Sequence, residues 1–432
     1  MLSRFTRWFS TPTSSPLIDK RNFVNVQIDA IGVAMGNAAA PFLPVFLAHL
    51  GSSTFQIGLL TAMPAITGLL LAIPLGNMLQ GQRQIVPWFS GARLVVILSY
   101  ALTGLAAIFV PPASLVNVIL LIWALATIPQ TIVGIGFSVV MNAVAGPNGR
   151  YELMSRRWSL LGLSTSITVF AIGQVLGRVI YPLNYQIVFL GLSAGGLISF
   201  YFSSHIKIPD NKVRFEASVK RIGESLSALF KQVKREKAFL SFIGKRFVFL
   251  SGVTMAVPLF PIYFVRVINA SDSWIATITT VQTAIMVVGY FVWSQQSRRH
   301  GARLVLLWTT LGLSIYSILT AFSILPWQIS IYAGLAGIFQ AGNDLVFFDE
   351  LLSTFPAEYS ATFVGVAQSV QYFSTIFSPL VGSALADSIG VGPALIVAGL
   401  LRLAGFGLFA IGRAGSVGEE KAIPKMQEID EK

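Results

Sequence analysis

Of the 18 Asp and Glu in this chain, only Asp29 and Asp344 fall inside long apolar stretches. A charge buried in such a stretch costs about 2.5–3.5 kcal/mol at a bilayer centre, so it needs a partner or a use. A carboxylate there carries a proton or neutralises a cation, which makes both residues coupling candidates. Asp29 stands one and a half turns into its stretch, at the depth where Arg246, beside Lys245, stands in a later one. A pair between them cancels two buried charges and leaves Asp29 a poor proton carrier. An inner structural or gating pair is therefore expected, with substrate binding and coupling as its alternatives. Asp344 follows Gln340 and Asn343 and has no basic residue near it in sequence. It is the better coupling candidate, with packing near a helix end as the competing role.

The other polar side chains within apolar stretches are mostly amides and hydroxyls, among them Asn37, Gln130, Gln282, Gln340, Asn343 and Gln368. Such groups either join helices or face a cavity. Arg298, Arg299 and Arg303 oppose Asp349, Glu350 and Glu358, and a salt-bridge latch at the inner side follows if they meet, solvated loop charge if they do not. Arg246 is a further inner-gate candidate. His49 and Arg266 mark matching outer ends, either as a shared anion site or as snorkelling side chains. Arg402, inside the last stretch, requires a carbonyl or polar group on a neighbouring helix. The three histidines, His49, His205 and His300, are too far apart in sequence to form a metal cluster. No nucleophile–base set and no Gly-x-x-x-x-Gly-Lys-Ser/Thr loop is present. No metal, no cofactor, no enzyme activity and no intrinsic nucleotide motor are expected.

The elements that position these residues follow from composition. Across 432 residues, 54% are hydrophobic and 11% charged, with a mean hydropathy of +0.72; a soluble domain carries charge on about a quarter of its positions. Twelve stretches, the first Val24 to Leu50 and the last Val391 to Ile411, are long enough to cross a bilayer core, which takes about 20 residues. An open sheet cannot satisfy its backbone in lipid, so these stretches are helices. With both termini inside, 27 of the 30 Lys and Arg lie on the cytoplasmic side, which fixes the orientation. Because these charges are spread over short loops and one linker, the net charge of +12 does not point to nucleic acid. Cysteine is absent, so there is no disulfide framework. Residues 1–22 form a cytoplasmic N-terminal segment without a cleavable signal, in which Leu2, Phe5 and Phe9 suggest a short surface helix or a frayed tail. Residues 23–206 and 239–412 form two six-helix halves. Between them, 207–238 is a basic linker with an amphipathic pattern against the inner leaflet, and 413–432 is a cytoplasmic tail.

The halves repeat. Pro41 and Pro44 meet Pro258 and Pro261 at a constant offset of 217 residues, which also sets Asp29 on Arg246 and His49 on Arg266. Gly91-Ala-Arg-Leu-Val returns as Gly301-Ala-Arg-Leu-Val. An all-α membrane protein of two parallel six-helix repeats with a basic central linker resembles the major facilitator superfamily, over about residues 20 to 412. That family's loop between spans two and three usually reads Gly-x-x-x-Asp-Arg-x-Gly-Arg; here Gly76 opens the slot and Gln80 holds the acid's place. In the second copy, Ser294 opens the slot, Arg298 replaces the acid, and Arg299 and Gly301 match. Gly134 and Gly136 echo the span-four motif of drug–proton antiporters, with Gln130 in the arginine slot, and Gly173 and Gly177 keep the span-five spacing.

The resemblance implies that spans one, four, seven and ten line a cavity, favouring Asn37, Gln130, Gln340 and Asn343 as contacts. It implies a monomeric secondary transporter in the bacterial inner membrane, moving a small organic solute by alternating access. Few charges among many amides suit a neutral or weakly charged solute. Efflux of an amphipathic compound is the first expectation, with uptake of a sugar-like solute and a lipid-handling or non-transporting role as alternatives.

Overall fold

The computed structural model describes residues 20–80, 82–208, 233–354 and 360–411. The N-terminal surface helix, most of the linker and the tail expected from sequence lie outside them. The described chain is helical, without strands. Span one is split into α1 (Lys20–Ala39) and α2 (Phe42–His49). There follow α3 (Thr54–Gln80), α4 (Val86–Phe109), α5 (Pro112–Arg178) and α6 (Leu183–Ser204). The second half comprises α7 (Lys237–Ile262), α8 (Asp272–His300), α9 (Ala302–Ala321), α10 (Pro326–Ser353), α11 (Ser360–Ile389) and α12 (Val391–Ile411).

Ten helical segments among the described residues are long and apolar enough to cross a membrane. The helices α10 and α11 are as long, 28 and 30 residues, but carry Gln340, Asn343 and Asp344 and Gln368 and Gln371. Helix α5 holds two spans in one hydrogen-bonded run of 67 residues, which would measure about 100 Å if straight. Asn117 near its start and Gly177 at its end both meet the starts of other helices, at Gln56 and Ser273. The run therefore doubles back as two antiparallel spans.

The repeated prolines act differently in the two halves. In the first, the backbone breaks at Ala40 and Pro41 between α1 and α2. In the second, Pro258 and Pro261 stay inside α7, which relaxes into a π-helical turn over Tyr263–Val267. Proline removes an amide donor and crowds the preceding turn, and a break or a wider turn relieves both. A single residue, Gly301 (φ 83°), separates α8 from α9, and Gly390 (φ 95°) separates α11 from α12. A one-residue reversal with positive φ favours glycine.

One large apolar core joins the halves, uniting Phe42, Phe46 and Phe189 with Phe249, Leu259 and Ile262. A separate core at the inner end, with Phe23, Val26, Ile85, Phe89, Val140 and Leu153, contains residues of the first half alone.

Candidate functional site: the central cavity

The seam between the halves starts at the outer loops. His49 Nε2 lies 2.9 Å from Asp272 Oδ1, and Tyr185 donates to that oxygen at 2.8 Å. Arg266 donates to the Ser52 carbonyl, and the Thr54 hydroxyl donates to Asp387 at 2.5 Å. His49 and Arg266 thus form neither a shared anion site nor a pair of free interfacial charges. Each engages the opposite half. Deeper in, small residues let the helices close: Gly173 abuts Ala276, Gly68 abuts the Tyr372 ring, and Ser166 donates to Thr283 at 3.2 Å. Further along the seam, Gly162 abuts Val287.

About a turn further in, a polar wall belongs to the second half. On α10, Gly334, Gly337 and Ala341 turn to α8, while Phe347 turns to Phe249 of α7 and Phe409 of α12. Gln340 and Asp344 fall between these faces, away from the exposed Leu335 and Ile331. Asp344 is exposed there. Its carboxylate accepts from Gln340 Nε2 at 2.7 Å and from the Tyr290 hydroxyl at 3.2 Å. Arg246 on α7 sits between α10 and α11, donating to Gln371 Oε1 at 3.0 Å with its guanidinium 5.6 Å from the Phe347 ring centre. Gln368, one turn before Gln371, is exposed.

The expected Asp29–Arg246 pair does not form. Asp29 is fully buried and turned into its own half, where its carboxylate pairs with Arg93 of α4 and, at 3.5 Å, with Arg157 of α5; Ser199 of α6 donates to it at 2.6 Å. Arg93 rests on Phe89 at 4.1 Å and Arg157 on Phe137 at 4.7 Å. Two guanidiniums and one carboxylate compensate much of the cost of burial by pairing at close range. Asp29 is thereby turned away from the polar wall of the second half. Its repeat counterpart Arg246 faces the equivalent helix of its own half, but meets an amide there instead of a charge.

The remaining candidates divide. Asn37 is exposed, and Gln130 and Gln282 are half-buried. Asn343 is buried at 7% exposure with its Oδ1 unpartnered, off the face shared by Gln340 and Asp344. Arg299 and Arg303 are exposed at the α8–α9 turn, and Glu350 is half-buried near the end of α10. The side chains of Arg298 and Asp349, and Glu358 altogether, lie outside the described residues, so the inner latch remains a proposal. Arg402 finds the carbonyl partners it was expected to need, donating to Leu313 at 2.9 Å and Val253 at 3.3 Å. Arg93, Arg157, Tyr290 and Asp272 were not anticipated as site residues. The echo Gly91-Ala-Arg93 was the one sequence signal that singled out any of them.

Long apolar helices closed along one side, with a polar wall beyond the closure, form the architecture of a membrane carrier. The Major Facilitator Superfamily model matches residues 245–428. Two curated relatives, both named Multidrug resistance protein MdtG, come from Proteus mirabilis (strain HI4320) and Rahnella sp. (strain Y9602). They are 24% identical over 152 residues and 25% identical over 170 residues. These alignments take 34% and 38% of this chain and 37% and 40% of the relatives, so the match spans about two-fifths of their length. Among solved structures, a mutant of the nucleoside transporter NupG superposes with a TM-score of 0.68 at 10% identity, covering 90% of this chain and 99% of that one. A bacterial homolog of the human lysosomal transporter Spinster, in an inward-facing and occupied conformation, gives 0.65 at 14% identity, covering 90% and 93%. The second half of the chain thus matches the major facilitator superfamily model, and the whole described chain shares the fold of these two transporters.

Proposed function

We propose that this protein is a secondary transporter that moves a small organic solute by alternating access, exporting an amphipathic compound. The observation that supports the reading is that Asp344, Gln340, Tyr290 and Arg246 stand together on the second half, about a turn beyond the contacts Gly68–Tyr372 and Gly162–Val287 that join the halves. A seam closed on one side of a polar wall is what one end state of such a cycle requires. With both termini cytoplasmic, the open side faces the cytoplasm, where an exporter loads. The relatives' designation as multidrug resistance proteins supports efflux.

Asp344 is the coupling group in this reading. A proton arriving from outside displaces the solute's cationic end from the carboxylate. Counterflow of radiolabelled solutes into proteoliposomes tests transport itself. Accumulation driven by an imposed pH gradient tests coupling: Asp344→Asn is expected to abolish it, and unchanged accumulation in that variant would reject Asp344 as the carrier.

A further inference from the structure

Arg246 and Asp344 are opposite charges on one wall, and among the described residues neither has a partner of opposite charge. Ion pairs join Asp29 with Arg93 and Arg157, and His49 with Asp272, and none of these involves Arg246 or Asp344. Arg246 has Gln371 as its hydrogen-bond partner, and its buried Nε has none. Asp344 is held by Gln340 and Tyr290. Each charge is therefore steadied by neutral donors or acceptors that leave its charge uncompensated. The two stand at similar depth, nine residues from the inner end of α7 and nine from that of α10.

Phe347 lies between them. It carries the Arg246 guanidinium on its ring and follows Asp344 by three residues, a spacing that brings side-chain bases to about 5–6 Å on a helix. The two charges are thus separated on the order of 10 Å, and the Phe347 ring between them is buried against Phe249. A solute with a single charge would satisfy one group and leave the other bare in a partly desolvated cavity.

We infer that this wall selects an amphoteric solute, whose carboxylate or other anionic group docks on Arg246 and whose ammonium docks on Asp344. This deepens the transport reading and rests on it. The juxtaposition differs from a simple cation site because the arginine occupies the repeat position that Asp29 fills in the first half.

The test uses the full-length protein in detergent and three aromatic probes of matched shape. 4-(Aminomethyl)benzoic acid is zwitterionic, its methyl ester is a cation, and its N-acetyl derivative is an anion. The zwitterion is expected to raise the thermal midpoint at concentrations where the other two do not. Arg246→Gln and Asp344→Asn should each weaken that effect about tenfold or more, while Arg246→Lys and Asp344→Glu retain part of it, which separates lost charge from lost folding. Equal stabilisation by the ester or the N-acetyl compound overturns the inference, as does no stabilisation by the zwitterion. Counterflow of singly charged solutes unaffected by either substitution would overturn the inference while leaving transport intact. Absence of counterflow with any solute would instead remove the transport reading on which it stands.

Discussion

His49 of α2 and Asp272 at the start of α8 are joined at 2.9 Å across the seam between the halves. The imidazole is 30% and the carboxylate 13% exposed, so the contact is partly screened and contributes about 0.2–1 kcal/mol. Asp272→Asn is expected to enlarge the outward-open population by roughly 1.4- to 5-fold. The chain has no cysteine, so Thr283→Cys, placed where Ser166 closes on it, gives a reporter free of background. Labelling by a membrane-impermeant maleimide added outside should accelerate when Asp272→Asn is combined with it. Unchanged labelling would assign the closure to Arg266–Ser52 and Thr54–Asp387 instead.

Asp29 is the counter-charge of two buried guanidiniums. Asp29→Ala leaves Arg93 and Arg157 without compensation and is expected to cost about 3–5 kcal/mol. Ser199→Ala removes one donor and should cost about 1 kcal/mol. Replacing all three charged residues by Leu or Met should recover most of the loss, because well-packed apolar groups often match a buried ion cluster. Thermal unfolding in detergent ranks the variants, and a triple variant as unstable as Asp29→Ala would contradict the electrostatic account.

The membrane-spanning helices were legible because lipid demands long apolar runs and leaves few alternatives. The partners of Asp29 were not, because depth along a helix says nothing about direction around it. Arg93 and Arg157 sit near span ends and read as cytoplasmic flank, yet each turns inward. Gln340, Asn343 and Asp344 look equivalent in sequence, but a step of one residue turns a side chain by about 100°. That rotation leaves Asp344 exposed and buries Asn343. Asp272 reads as a loop acid, and its role appears only once Tyr185 and His49 arrive from the other half.

Glycine packing within the first half yields a paired prediction. A methyl group at Gly32 would lie 2.6 Å from the Gly195 carbonyl oxygen and 2.6 Å from the Ser199 backbone nitrogen, whereas one at Gly76 meets nothing within 4 Å. Gly32→Ala must push α1 from α6 and is expected to cost about 1–3 kcal/mol. Gly76→Ala should be neutral or stabilising by up to about 1 kcal/mol through helix propensity. Midpoints from thermal unfolding decide it, and equal effects at both sites would count against this packing of α1 on α6.

Arg402 offers the sharpest test of what a buried charge is worth here. It is 4% exposed on α12, and its hydrogen bonds go to the carbonyls of Leu313 and Val253, with Nε unpartnered. Both carbonyls lie within helices α9 and α7, where the backbone four residues on supplies a donor without help from Arg402. Its guanidinium therefore bears a desolvation cost that two neutral acceptors repay only in part. Arg402→Met keeps the side chain's length and contact with Gly252 while removing the charge. It is expected to raise the thermal midpoint, by an amount equivalent to about 1–3 kcal/mol. A fall of similar size would mean that the two cross-helix bonds, which tie α12 to α7 and α9 together, outweigh the burial of the charge.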